Sequence, residues 1–400
     1  MEPSQLARQE LAPSAKPATS LARLAADPFR LWFPIGLLWS LVGVMLWPLF
    51  YAGAIAYFPS LVHARLMVQG FGAAFVVGFL STAAPRFTSA NPFSLPTLAL
   101  LLSLHSAASL CHLGLSIRTG DLLFALFLLV LLILLAARLL KAPPQDPPPP
   151  ALSLALVGLS CGAVGAIMLA LPRPISDPAY FRLAHLLLYQ GLLLLPALAL
   201  APLLVPRLLG GDFGEPPRRR AVARAALLAL ALLASFVVES FFHDRAGYAL
   251  RTLAAFAYLA LEIPWRRAAD PPPANTLARA LPLVPLLGFG GMIAATLFYP
   301  VRIGLEHLLY IGGLGLLMLL VSSHIVLGHA DQLGRRRRSW PLRLIVALVI
   351  VAATTRASGE IWPQITVSHN IYAASLWAIT AILWLAWQAR RLLPLREEHR

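Results

Sequence analysis

The sequence is poor in cysteine and in charge. Cys111 and Cys161 are its only two cysteines, and no Cys-x-x-Cys pair occurs. Thiolate metal sites and c-type haem attachment are therefore disfavoured, and both thiols read as small buried hydrophobes. Charged residues make up 12% of the 400 residues and apolar residues 59%, with a mean hydropathy of +0.75. A soluble domain carries roughly twice that charge, about 25%, so the chain is built for lipid rather than around a large water-soluble core. Gly-x-Gly-x-x-Gly and Walker A loops are missing, as are the His-x-His and His-His pairs that would strengthen a copper site.

What is present is a succession of apolar runs long enough to span a bilayer as helices. The hydropathy pattern predicts an all-α polytopic membrane protein of about twelve spans, near 31–55, 61–84, 96–116, 120–139, 151–171, 181–205, 221–242, 247–263, 280–298, 303–327, 342–357 and 370–389. The eighth and eleventh are short. If both termini are cytoplasmic, 24 of the 32 Lys and Arg residues fall in the cytoplasmic segments and 8 at the outer ends. Such a bias is what the positive-inside rule expects of a cytoplasmic-membrane protein. The run Arg335–Arg338 then anchors topology. The net charge of +15 needs no nucleic acid to explain it, because no basic stripe of a soluble domain is visible.

Two proline-rich segments punctuate the spans. Residues 142–150 follow the fourth and Asp270-Pro271-Pro272-Pro273 follows the eighth; neither can continue a helix. They divide a single membrane domain, 27–392, into units of four spans at 28–141, 151–267 and 275–391. Residues 1–26 and 393–400 read as cytoplasmic tails. A histidine opens the second span of every unit: His63, His185 and His307, each 122 residues from the next. The punctuation and the histidines give the same triplication.

Histidine in a membrane span is costly and marks function unless the wet interface explains it. Interface preference does not account for three equivalent positions. The chemical reading is metal ligation, since neutral imidazole binds haem iron and copper. Two such residues on different helices suit the two faces of a haem, and His185 would be a further ligand or a pocket wall. Near the same end lie Asp177, Glu239, Asp244, Glu306 and Glu360. Glu239 and His243, four apart, form either a proton-relay pair or a satisfied helix end. Arg65, Arg251 and Arg302 are free to pair with haem propionates or with these carboxylates. A metal-free transporter or channel with a path of histidines and carboxylates is the rival reading.

Three stretches carry a family resemblance: Asp27-Pro28-Phe29-Arg30-Leu31-Trp32-Phe33-Pro34, His63-Ala64-Arg65-Leu66-Met67 through Ala84-Pro85, and His307 through Leu327-Gly328-His329. They resemble the NnrS family, twelve-span bacterial membrane proteins of the nitric oxide response that include haem- and copper-containing members. The resemblance implies haem, and copper as a second candidate, held at His63, His307 and His185 with Arg65 beside them. It also implies nitric oxide or iron–nitrosyl species as partners, in the inner membrane. Arg65 and Leu66 stand where the family motif has a second His and a Glu. More distantly, three arcs of four helices resemble the catalytic subunit of haem–copper oxidases, although the seventh span lacks the paired histidines of that copper site.

Overall fold

The computed structural model describes residues 20–143, 145, 147–172, 177–209, 218–263, 275–330 and 339–393. The outermost parts of both tails, the Asp270–Pro273 linker, the Arg335–Arg338 run, and Pro144 and Asp146 of the first linker lie outside the described residues. Within them the chain is helical throughout, with no strand. The long helices are α1 (Phe29–Tyr51), α2 (Ser60–Phe87), α3 (Leu95–Gly114), α4 (Ile117–Leu140), α5 (Leu152–Ala170), α6 (Pro178–Pro206), α7 (Arg218–Phe241), α8 (Asp244–Glu262), α9 (Thr276–Leu297), α10 (Tyr299–His329), α11 (Trp340–Ile361) and α12 (Pro363–Leu392). Local sequence sets several of their starts. Ser94, Ser116, Asp177, His243 and Asn275 each accept a backbone N–H three residues on, which satisfies a donor that a starting helix leaves free.

Among the described residues, eleven of these helices are long and apolar enough to cross a membrane. The exception is α8, whose 19 residues rise about 28 Å at 1.5 Å each, close to the bilayer core of about 30 Å. Its composition falls short because it carries Asp244, Arg245, Arg251 and Glu262. Three of those charges are matched by neighbours: Asp244 by Arg182, Arg251 by Glu239 and Glu262 by Arg224. The eleventh span is longer than its hydropathy suggests, with 22 residues, because Ser358, Gly359 and Glu360 continue the helix past the apolar run.

Consecutive helices pack side by side, α4 against α5 and α8 against α9 included, and α12 returns to α1. The helices that carry the three repeat histidines lie deepest. Protein shields 89%, 61% and 67% of the apolar stretches of α2, α6 and α10, against 28–56% for the other eight candidate spans. Close approach relies on small residues: a Cβ on Gly313 of α10 would lie 3.0 Å from the Cα of Gly288 on α9. Indole donors tie the ring together, Trp377 to Ser40 of α1 at 3.1 Å and Trp384 to Ser323 of α10 at 2.9 Å. Both cysteines are buried and unpaired, as small hydrophobes are.

The three deep helices share a departure from α geometry. Each contains a π-helical segment just after its histidine: Leu66–Gly72, Leu186–Gly191 and Leu308–Gly315. Such segments are rare and concentrate at functional sites. The extra residue in a π turn rotates the side chains that follow and loosens nearby carbonyls, which in a membrane must find another donor. In α2 the donor is His105 of α3, whose Nε2 reaches the carbonyls of Gln69 and Gly70 at 2.9 and 3.0 Å.

Candidate metal centre and buried ion pairs

The repeat histidines share a local geometry. His185 and His307 each bring Nδ1 to 2.7 Å from the carbonyl four residues back on their own helix, Phe181 and Ile303. His63 brings its Nδ1 to 2.9 Å from the carbonyl of Gly43 on α1. A carbonyl only accepts, so in all three rings Nδ1 carries the proton. The lone pair is thereby left on Nε2, the tautomer a metal requires, with the ring orientation fixed by the second bond. No hydrogen bond to any of the three Nε2 atoms is made among the described residues.

Their surroundings then separate them. His63 and His307 lie in one electrostatic neighbourhood, which they share with the Arg356 guanidinium of α11. Arg356 is held by Glu360 one turn on, at 3.3 and 3.4 Å. Trp47 of α1 meets the His63 ring edge to face at 5.9 Å between centroids. His185 instead stands against the Tyr189 ring at 5.2 Å, within range of Arg65 and Asp121.

Arg65 is not directed at the His63–His307 pair. Its guanidinium is bidentate on Asp121 of α4, Nε to Oδ1 at 2.8 Å and Nη2 to Oδ2 at 3.1 Å, and its Nη1 donates to the Tyr189 hydroxyl. The two charged side chains are 2% and 1% exposed. Gln69 donates to the same Oδ1 at 2.6 Å and accepts from His112 Nε2 at 2.9 Å. Every charge and most lone pairs in this knot are satisfied, as a low-dielectric interior demands. Of the two roles open to Arg65 in the sequence, pairing with a carboxylate is the one the geometry displays, and it stands where the family motif has a histidine.

A second knot joins α7, α8 and α10. Arg251 of α8 donates through Nη2 to Glu239 Oε2 at 2.6 Å, with both side chains buried, and Tyr299 reaches Glu239 Oε1 at 3.3 Å. The Arg251 guanidinium also lies over the Tyr248 ring, 4.3 Å from its centroid. Arg302 stacks at the same distance, 4.3 Å, on Tyr299. The Glu239–His243 pair does not form, because Glu239 turns to Arg251 while His243 Nδ1 accepts the Ala246 N–H and caps α8.

Sequence reasoning missed Asp121, Gln69, His112, Tyr189 and Arg356 as site residues. Asp121 had a signal, being an acid one turn inside an otherwise apolar span. Arg356 had the same signal in α11. Gln69 and Tyr189 had none, because their role depends on contacts between helices far apart in sequence. Among the described residues no group of three His, Cys, Asp or Glu side chains converges as a metal site would.

The fold and these features define a polytopic all-helical membrane protein with histidines on its most buried helices and charge pairs sealed between them. The family model described as NnrS protein matches residues 23–396. The chain belongs to the NnrS family, and so to the membrane proteins of the nitric oxide response. No curated protein matches it.

Proposed function

We propose that this protein binds haem in the cytoplasmic membrane, with both termini cytoplasmic, and handles nitric oxide or iron–nitrosyl species during nitrosative stress. The observation that carries the reading is the matched pair His63 and His307: each ring gives its Nδ1 proton to a backbone carbonyl and leaves Nε2 unbonded. Those two unbonded nitrogens are the donors that would hold a haem iron. The haem would supply an iron that carries a single electron, or that takes a diatomic ligand in place of one of the two histidines.

The chain's own residues do the rest. His63 and His307 orient their Nε2 lone pairs, and the carbonyls of Gly43 and Ile303 hold those rings in place. Arg356 would offer a cation to the propionates, its Glu360 partner being partly exposed, whereas Arg65 is sealed on Asp121. His185, the third repeat histidine, would stand beside that site on α6 with Tyr189 against its ring. Copper is the weaker fit, since three convergent ligands are not found among the described residues. The recurrence of a π-helical segment beside each repeat histidine supports three equivalent units, 28–141, 151–267 and 275–391.

The rival reading is a metal-free transporter or channel, favoured by the sealed pairs Arg65–Asp121 and Arg251–Glu239 inside the bundle. The visible spectrum and metal content of protein purified without added cofactor separate the two. Haem predicts a Soret band with iron in proportion to protein. A flat Soret region in folded, metal-free protein rules out the haem reading and leaves the transporter.

A further inference from the structure

The connection from α2 to α3 and the last turn of α4 frame an open cavity of about 350 Å³ at the end of α2 away from His63. Its walls include Thr88, Ser89, Asn91, Ala137, Arg138 and Lys141, with two cations and, among the described residues, no carboxylate in the lining. Arg138 is built into place. Its guanidinium lies 3.8 Å from the centroid of the Phe93 ring, and its Nη1 donates to the Leu134 carbonyl at 3.0 Å. Its Nε, buried from solvent, has no hydrogen-bond partner. An N–H without an acceptor is costly, and an anion held by this half-buried guanidinium would offset that cost. Ser89 adds backbone strain on the opposite wall: with φ of 49° it is the one non-glycine in the left-handed region among the described residues.

A row of exposed apolar side chains on α4 leads up to the cavity. Leu122, Leu126, Leu129, Ile133 and Leu140 are 51%, 48%, 38%, 67% and 87% exposed. Their spacing of three and four residues puts them on one face of the helix. Ala137, exposed and midway between Ile133 and Leu140 on that face, is itself a wall of the cavity. A ligand with a charged group in the cavity therefore finds a continuous apolar strip leading away from it. This end also carries the basic connections, where cationic pockets between helices accept anionic headgroups.

The geometry points to a binding site for the phosphate group of an anionic glycerophospholipid, with Arg138 and Lys141 on the phosphate and an acyl chain along the Ile133–Leu122 face of α4. A guanidinium offers paired donors to phosphate oxygens, and the exposed Lys141 ammonium adds a second charge. Inorganic phosphate shares the charge chemistry but gains nothing from the apolar strip.

The test is native mass spectrometry of the full-length protein in detergent, titrated separately with dioleoyl phosphatidylglycerol, dioleoyl phosphatidylcholine and sodium phosphate. The expected result is a saturable phosphatidylglycerol adduct with at least tenfold preference over phosphatidylcholine. Lys141→Gln, at an exposed position that folding does not need, should weaken it severalfold, and Arg138→Gln should weaken it further. Arg118→Gln, at the other end of α4, should leave it unchanged. Equal binding of the two lipids overturns the proposal, as does full affinity in Lys141→Gln. Displacement of the lipid by phosphate at matching concentration would assign the cavity to the free anion and overturn the lipid assignment.

Discussion

Replacing Asp121 by asparagine keeps the shape of the side chain and removes its charge. In the native protein the Asp121 carboxylate takes two N–H bonds from Arg65, at 2.8 and 3.1 Å, and one from Gln69 at 2.6 Å. The pair is only 2% and 1% exposed, so the Arg65 charge left behind has no water to turn to. Removing one partner of a buried ion pair costs about 3–5 kcal/mol, whereas replacing both by apolar residues is often close to neutral. Asp121→Asn should therefore lower the folding equilibrium constant by roughly 100-fold or more. The double variant Arg65→Met/Asp121→Leu should recover part of that loss, limited by the contacts Gln69 and Tyr189 forfeit. Unfolding in mixed micelles, followed by tryptophan fluorescence against denaturing detergent, measures all three proteins. An Asp121→Asn protein within about 0.5 kcal/mol of wild type, an effect typical of plain surface changes, would refute the reasoning. So would a double variant less stable than Asp121→Asn.

Three further outcomes follow from the packing. Gly313→Val drives a side chain into the backbone of Gly288, 3.0 Å from where its Cβ would sit, and should cost about 1–3 kcal/mol in the same unfolding assay. Ser323→Ala removes the acceptor of the buried Trp384 indole and should cost about 1–3 kcal/mol, with a shift in tryptophan emission as the independent check. His105→Phe strips the donor from the Gln69 and Gly70 carbonyls, so hydrogen exchange should quicken across Leu66–Gly72 while the amides of α12 stay protected.

The sequence carried the fold well because the bilayer leaves few choices. Apolar runs of span length must become helices, and the alternation of arginines orients them. α8 shows where that logic thins: its four charged residues hide a helix, and three of them are matched by Arg182, Arg224 and Glu239 on other helices. The even spacing of His63, His185 and His307 picked out the three helices that prove deepest and that carry π-helical segments. The π turns themselves were illegible, since no local residue type dictates one. Arg65 shows the other limit. Its sequence neighbours include no acid, and the carboxylate that binds it lies 56 residues away on α4. The Glu239–His243 spacing suggested a pair that tertiary contacts with Arg251 and Ala246 replace.

The central claim rests on His63 and His307, and optical spectroscopy of their variants tests it most directly. Purified wild type, His63→Ala, His307→Ala and His185→Ala proteins should be compared at equal concentration in the oxidised and reduced states. If the first two histidines are the axial pair, His63→Ala and His307→Ala each shift or lose the Soret band, while His185→Ala, altering only the wall beside Tyr189, retains it. Unchanged spectra in both His63→Ala and His307→Ala would contradict the account.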